Sequence, residues 1–220
     1  MILSANQPYF LPYFPWWQLI AQADLFLIGD DNAFMKHSWI YRNRIRVNGS
    51  QTYFRIRVRD MSCHRTIAQT EILPPDVSTM LRTLEMAYHK APYFADGFAL
   101  AERILLCKDM NLCRFLTHSI REVCDYLGIG TQLGFTSDYA GNTRLVREER
   151  LYEFCRRTGA DVYVNAIGGQ ALYDRAEFAA HGIELRFLQT EVPDNLSIID
   201  SVMNRSREEL HEMLGRFRYV

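Results

Sequence analysis

The sequence predicts an α/β protein: a mostly parallel, five-stranded Rossmann-like sheet with a β-hairpin insertion and a helical layer. Three observations carry this. The chain opens with an apolar run, a helical face of Trp16, Leu19, Ile20 and Ala23, and a second apolar run, Leu25-Phe26-Leu27-Ile28, which together read as a βαβ unit. Strand-length runs near residues 134, 163 and 186 alternate with helical periodicity, as in a parallel sheet. Between the first strand pair and the later ones, Asn48-Gly49 separates two alternating segments, the strongest short-range hairpin signal.

In chain order, residues 1–5 form the first buried strand. Pro8 and Pro12 have fixed φ and no N–H, so Asn6-Gln7-Pro8-Tyr9-Phe10-Leu11-Pro12-Tyr13 is neither strand nor helix interior. The βαβ unit then brings the polar strand ends Asn6-Gln7 and Asp30-Asp31 to one edge of the sheet. That edge is where open α/β sheets bind ligands. Residues 40–47 and 52–58 pair around Asn48-Gly49, and 66–73 reads as a third antiparallel strand closed by Pro74-Pro75, so the β insertion spans about 40–73. Residues 76–127 read as three helices, capped by Asp76 or Ser78, broken at Pro92 and stopped by Gly128 and Gly130. Strands at 132–136, 161–165 and 184–188 then alternate with helices at 145–158 and 175–181, and 197–217 reads as a terminal helix. No repeat or linker divides the chain, which reads as one domain over 1–220.

Composition narrows the class. Hydrophobic residues at 48% and charged residues at 23% are those of a globular protein, and a net charge of −1 gives no sign of nucleic-acid binding. Arg42, Arg44, Arg46, Arg55, Arg57 and Arg59 alternate along the hairpin, as a basic face for an anion or as a solvated face. The five cysteines are odd in number and lack a CxxC pair, so they read as reduced cytoplasmic thiols, with neither a disulfide frame nor a zinc site. Met1-Ile2-Leu3 enters the strand without a basic n-region, which predicts no signal peptide, and no apolar run is long enough to span a bilayer.

No P-loop, GxGxxG, HExxH or GxSxG elbow is present, and the sequence names neither a cofactor nor a metal. The candidate site is instead a set of polar residues at strand ends. Asp30 and Asp31 end a buried strand, where a carboxylate takes a proton, binds a hydroxyl or a metal, caps a loop or pairs with arginine. Lys36, Trp39, Arg42 and Asn43 combine a point charge, a stacking face and a planar guanidinium, a mixture suited to a nucleotide sugar. Gly168 and Gly169 let the backbone approach a ligand or simply make a turn, with Tyr173 just beyond. Ser197 and Asp200 open the last helix, and capping alone accounts for both.

The ordered motifs QPYFLP (7–12), ADLFLIGDD (23–31), W..RNRI from Trp39, YHKAPYF (88–94), a lone asparagine in a helix, YVNAIGGQALY (163–173) and LSIID (196–200) resemble the WbqC-like family, over about residues 2–204. The chain departs from the family pattern in carrying Asn6 where a histidine is usual, Asn32-Ala33-Phe34 for Val-Gln-Phe, Tyr41 for the first asparagine of an Asn-Arg-Asn triplet, Ile56-Arg57 for Val-Pro, Asn165-Ala166 for Ser-Gly, and a shortened loop at 192–195. The resemblance implies a bacterial cytoplasmic protein of surface-polysaccharide (O-antigen) or nucleotide-sugar metabolism. The activity it implies is a transferase moving an aminoacyl (glycyl) or acyl group onto a sugar. In that reading Asp30 or Asp31 takes the acceptor's proton, Arg42 and Lys36 hold phosphate or carboxylate, Trp39 or Tyr9 stacks, and Asn6 and Gln7 join the substrate site. Two alternatives stay open: a non-catalytic small-molecule or nucleotide-binding protein, which the loss of histidine at Asn6 favours, and a nucleotidyltransferase-like enzyme, against which the missing Gly-rich or HxGH loop counts. In each the expected partner is an anionic small molecule, a nucleotide sugar or an activated acyl donor.

Overall fold

β1 (Ile2–Asn6), α1 (Phe14–Ala21) and β2 (Leu25–Ile28) form the βαβ unit in the computed structural model, which describes residues 1–139, 145 and 148–220. The two strands pair in parallel, Leu3 against Leu25 through Asn6 against Ile28. β5 (Gln132–Phe135) adds outside β2, while β6 (Val162–Ala166) and β7 (Glu184–Thr190) add on the far side of β1, all parallel. β8 (Phe217–Tyr219) pairs antiparallel with β7 and completes the order β5-β2-β1-β6-β7-β8. The mostly parallel sheet is as expected, but it has six strands rather than five.

The sheet alternates its side chains between two layers. Phe26, Ile28 and Val164 face a core shared with α1, α4 (Leu112–Leu127), α7 (Ile198–Asn204) and α8 (Arg207–Leu214). Leu3, Leu27, Tyr163 and Phe187 face the other side, under α5 (Glu148–Thr158) and α6 (Arg175–Ala180). Phe14, Trp17 and Phe26 are fully buried, each contributing about 2–3 kcal/mol on transfer from water. Among the described residues no helix is long and apolar enough to cross a membrane, and all five cysteines are free.

The insertion between β2 and β5 holds β3 (Arg42–Val47) and β4 (Ser50–Arg55), a separate two-stranded sheet. Asn48 and Gly49 both have positive φ, 50° and 80°, as the tight hairpin turn requires. α2 (Val77–Tyr88), α3 (Phe94–Leu105) and α4 follow, with Asp76 capping α2 through Thr79 N–H and Gly128 ending α4 at φ 71°.

Three elements differ from expectation. Residues 66–73 are not a strand: Thr66 and Gln69 exchange side-chain to backbone hydrogen bonds and close a turn, leaving only isolated bridges at Thr66, Glu71 and Ile72. The terminal helix breaks at Arg205, whose backbone is extended. Ser206 then caps α8 by accepting from Glu209 N–H, and the aromatic end folds back as β8. The helix expected from Leu145 begins at Glu148 in the described chain, and residues 146–147 lie outside the described residues.

Candidate functional site

The strand order puts a topological switch between β1 and β6: successive strands leave β1 in one direction toward β2 and β5, and the other direction begins at β6. Loops diverge from the carboxyl ends at such a point and leave a crevice. A cleft of about 890 Å³ lies there. The strands end on matching residues. Asn6 closes β1 and its Oδ1 accepts from Gln7 N–H at 2.8 Å; Asn165 lies at the end of β6 and its Oδ1 accepts from Ala166 N–H at 2.8 Å. In each case the carbonyl half of the amide holds the backbone and the NH₂ half is a donor, which at Asn165 gives one hydrogen bond to the Tyr173 hydroxyl. Asn6, Gln7, Asn32 and Asn165 give the cleft four carboxamides.

Two glycines set these amides by close approach. A Cβ at Gly169 would lie 2.8 Å from Asn165 Nδ2 and 3.3 Å from the Tyr173 ring, and one at Gly29 would lie 2.2 Å from Asn32 Nδ2. Gly168 faces open space. Tyr9, Tyr13 and Tyr173 also line the cleft. Burial raises all three phenol pKa values; at Tyr173 a hydrogen bond from Asn165 partly offsets this. At neutral pH the three hydroxyls are protonated donors.

The β2–β5 end of the edge works differently. Asp30 is 6% exposed. Its carboxylate accepts from Ser137 N–H at 3.0 Å and from Ser137 Oγ at 2.6 Å. Thr136 Oγ1 lies 3.1 Å from Asp30 and 2.5 Å from Asp31, so its one proton serves both. Asp31 is ion-paired with Arg150 of α5. Burial pushes the Asp31 carboxyl up, but the hydrogen bonds from Arg150 and Thr136 outweigh it and hold the group below its ordinary 3.8. Neither carboxylate lines the cleft; their partners Thr136 and Arg150 do. Asp31 therefore acts on the cleft through Arg150, whose guanidinium also lies 5.2 Å from the Phe154 ring.

The remaining expected residues separate into two groups. Asn43, Ser197 and Asp200 are framework. Asn43 donates to the Leu11 carbonyl at 2.7 Å, and Ser197 Oγ donates to the same carbonyl at 3.1 Å. Leu11 has φ 49°, unusual for a non-glycine residue, and these two side chains hold it there. The loop so fixed carries Tyr9 and Tyr13 to the cleft. Asp200 accepts from the Tyr88 hydroxyl at 2.8 Å on the hairpin side. Lys36, Trp39 and Arg42 form the second group, and they too do not line the cleft. Lys36 is exposed, Trp39 packs on Tyr53 and Arg44, and Arg42 donates to the His37 carbonyl. Lys36 and Arg42, expected in one site with Gly168, therefore do not share this cleft with it. The hairpin is a separate sheet and carries them away from the switch point.

Sequence reasoning missed Asn32, Thr136, Arg150, Asn165 and Asp194, which line the cleft. Asn165 was legible by analogy with Asn6, since both follow an apolar strand. Arg150 was not, because its pairing with Asp31 spans 119 residues and depends on how α5 packs. Among the described residues no group of three or more His, Cys, Asp or Glu is placed to hold a metal ion.

The fold and cleft define an α/β protein of the doubly wound type, with an amide-lined crevice at its switch point. The chain belongs to the WbqC-like protein family, whose model matches residues 7–212. It is similar to the uncharacterized protein Rv1507c of Mycobacterium tuberculosis, 31% identical over 175 residues, covering 76% of this chain and 74% of that protein.

Proposed function

We propose that the chain binds a hydroxyl-rich small molecule bearing an anionic group, of the nucleotide-sugar or sugar-phosphate class, in the switch-point cleft. The observation that carries this reading is the pairing of four carboxamides with Arg150, a guanidinium held in place by Asp31. Carboxamides donate to and accept from sugar hydroxyls, while a fixed guanidinium recognises phosphate or carboxylate at little ordering cost. Tyr9, Tyr13 and Tyr173 add rings and protonated hydroxyls, and a cleft of this volume suits a ligand of that size. The free thiols and the family's resemblance pattern support a cytoplasmic setting.

Transfer of an aminoacyl (glycyl) or acyl group onto a sugar in surface-polysaccharide (O-antigen) metabolism is the second reading. One residue favours it: Asp194, the carboxylate that lines the cleft among the described residues. Its oxygens accept from Leu196 N–H at 3.0 Å and from Ser201 Oγ, and Arg205 lies 4.0 Å away; these contacts fix it in the cleft lining, where it could act as a base for an acceptor hydroxyl or amine. Asp194 takes that role in place of Asp30 and Asp31 because they do not line the cleft.

The test is thermal melting with nucleotide sugars, sugar 1-phosphates and the matching neutral sugars, for the parent and for Arg150→Gln. A ligand at a hundred times its Kd adds about 2.7 kcal/mol. The expected result is stabilisation by an anionic sugar, a smaller response to its neutral counterpart, and loss of the difference in Arg150→Gln. No response to any anionic sugar, or an equal response in the variant, overturns the reading.

A further inference from the structure

A second cleft, of about 600 Å³, opens where the hairpin meets the first turn of α2. Its charged lining is net positive, three arginines to one aspartate. Arg42 and Arg55 face each other across the hairpin register, and Arg57 follows two residues on, where its carbonyl accepts from Leu73 N–H at 2.8 Å. Among the described residues none of the three makes an ion pair. The carboxylate in the same lining, Asp76, is engaged as the cap of α2, accepting from Thr79 N–H at 3.1 Å and Ser78 Oγ at 3.0 Å. Met61, Leu73 and Met80 supply an apolar wall. Met61 is 37% exposed, so part of this apolar surface meets water.

Three guanidinium groups against the one carboxylate of Asp76, which Arg57 feels electrostatically, leave an excess of positive charge beside an apolar wall, and that complements a molecule with an anionic head and an apolar body. Arginine offers a planar fork to phosphate or carboxylate, and Arg42 is already steadied by the Tyr53 ring 4.5 Å away and by its bond to the His37 carbonyl. The volume lies within the small-ligand range of about 300–1,000 Å³. The chain's net charge of −1 provides no broad field to collect a polyanion, so the local charge addresses a small ligand. We infer that this cleft binds an anionic amphiphile, a short alkyl or acyl chain ending in phosphate or carboxylate, at a site separate from the switch-point cleft.

Titration calorimetry of the full chain tests this with octyl phosphate, octanoate, octanol and inorganic phosphate as probes, below the micellar range of each amphiphile. Saturable binding of octyl phosphate or octanoate is expected, and whichever binds tighter identifies the head group. Octanol and inorganic phosphate each lack half of the recognised chemistry and should bind roughly tenfold more weakly or worse. Arg55 and Arg57 are exposed, so Arg55→Gln/Arg57→Gln should fold as the parent does and lose the binding by about tenfold or more. Met80→Glu, which places a negative charge in the apolar wall, should lose it as well. Arg150→Gln should bind like the parent, which separates this site from the sugar site. Any of four results overturns the proposal: no binding of either amphiphile, equal binding by the arginine variant, binding of inorganic phosphate as tight as octyl phosphate, or binding only of an acidic peptide or a second copy of the chain.

Discussion

The two halves of the sheet edge carry similar residues, short polar side chains at the ends of buried strands, and use them differently. At β1 and β6, Asn6 and Asn165 each commit one oxygen to the next backbone N–H and stand in the cleft. At β2, Asp30 and Asp31 are engaged by Thr136, Ser137 and Arg150 and stand behind it. The chemistry explains the split. A carboxylate accepts several hydrogen bonds and can join neighbouring segments, whereas an amide brings its own donors and needs no counter-charge to sit beside a ligand. Carboxylates therefore build this edge, and in the proposed function the amides read from it.

The largest effect that tests the difference is on stability. Asp30→Ala removes the charged acceptor of Ser137 N–H and Ser137 Oγ, two charge-assisted hydrogen bonds, while Thr136 Oγ1 keeps Asp31. A loss of roughly 3 kcal/mol in urea denaturation is expected. Asp31→Asn should cost less, roughly 2 kcal/mol, because the Asp31–Arg150 pair lies between buried and exposed, with side chains 12% and 18% accessible. This pair also has a pH signature. The folded Asp31 carboxyl titrates below the ordinary 3.8, so the unfolded chain takes up its proton first. The pair's contribution is complete above the unfolded value and is lost as pH falls through the folded one. Stability measured from neutral pH downward should show that loss in the parent and a shallower one in Asp31→Asn.

On the amide side the effect is on ligand binding. Alanine at Gly169 pushes the Asn165 amide and the Tyr173 ring from their places. Affinity for the responding sugar should fall roughly tenfold, with stability changed by less than about 1 kcal/mol. The smallest effect belongs to a residue outside both halves. Lys36→Ala should leave stability within about 0.5 kcal/mol of the parent and the sugar response unchanged, since Lys36 is exposed and away from the cleft.

The fold was largely legible because its signals are local. The proline-bracketed loop, the Asn48-Gly49 turn and the apolar runs each act within a few residues, and the parallel sheet follows from their order. β8 was not legible, because Phe217-Arg218-Tyr219 becomes a strand only by finding the free edge of β7. The site was half legible. Asn6, Gln7, Tyr9, Gly168, Gly169 and Tyr173 reach the cleft because strand ends of a parallel sheet share one edge. The roles expected of Asp30, Asp31 and Arg42 depended on what packs against them. Thr136, Ser137 and Arg150 come from more than a hundred residues away to engage the aspartates, and the hairpin's separation from the main sheet takes Arg42 elsewhere. Several family motifs meet for a structural reason. QPYFLP, the hairpin's Asn43 and the helix-opening Ser197 converge on the Leu11 carbonyl.

Urea denaturation of Asp30→Ala and Asn165→Ala, with and without the anionic sugar that stabilises the parent, tests the division of labour most directly. Asp30→Ala should lose roughly 3 kcal/mol and keep most of the ligand's added stability. Asn165→Ala, which gives up a backbone hydrogen bond and the bond to the Tyr173 hydroxyl, should lose only about 1–2 kcal/mol and lose most of the ligand's increment. The opposite pattern, a stable Asp30→Ala that no longer responds beside an Asn165→Ala that responds in full, would show that the carboxylates read the ligand and the amides only hold the edge.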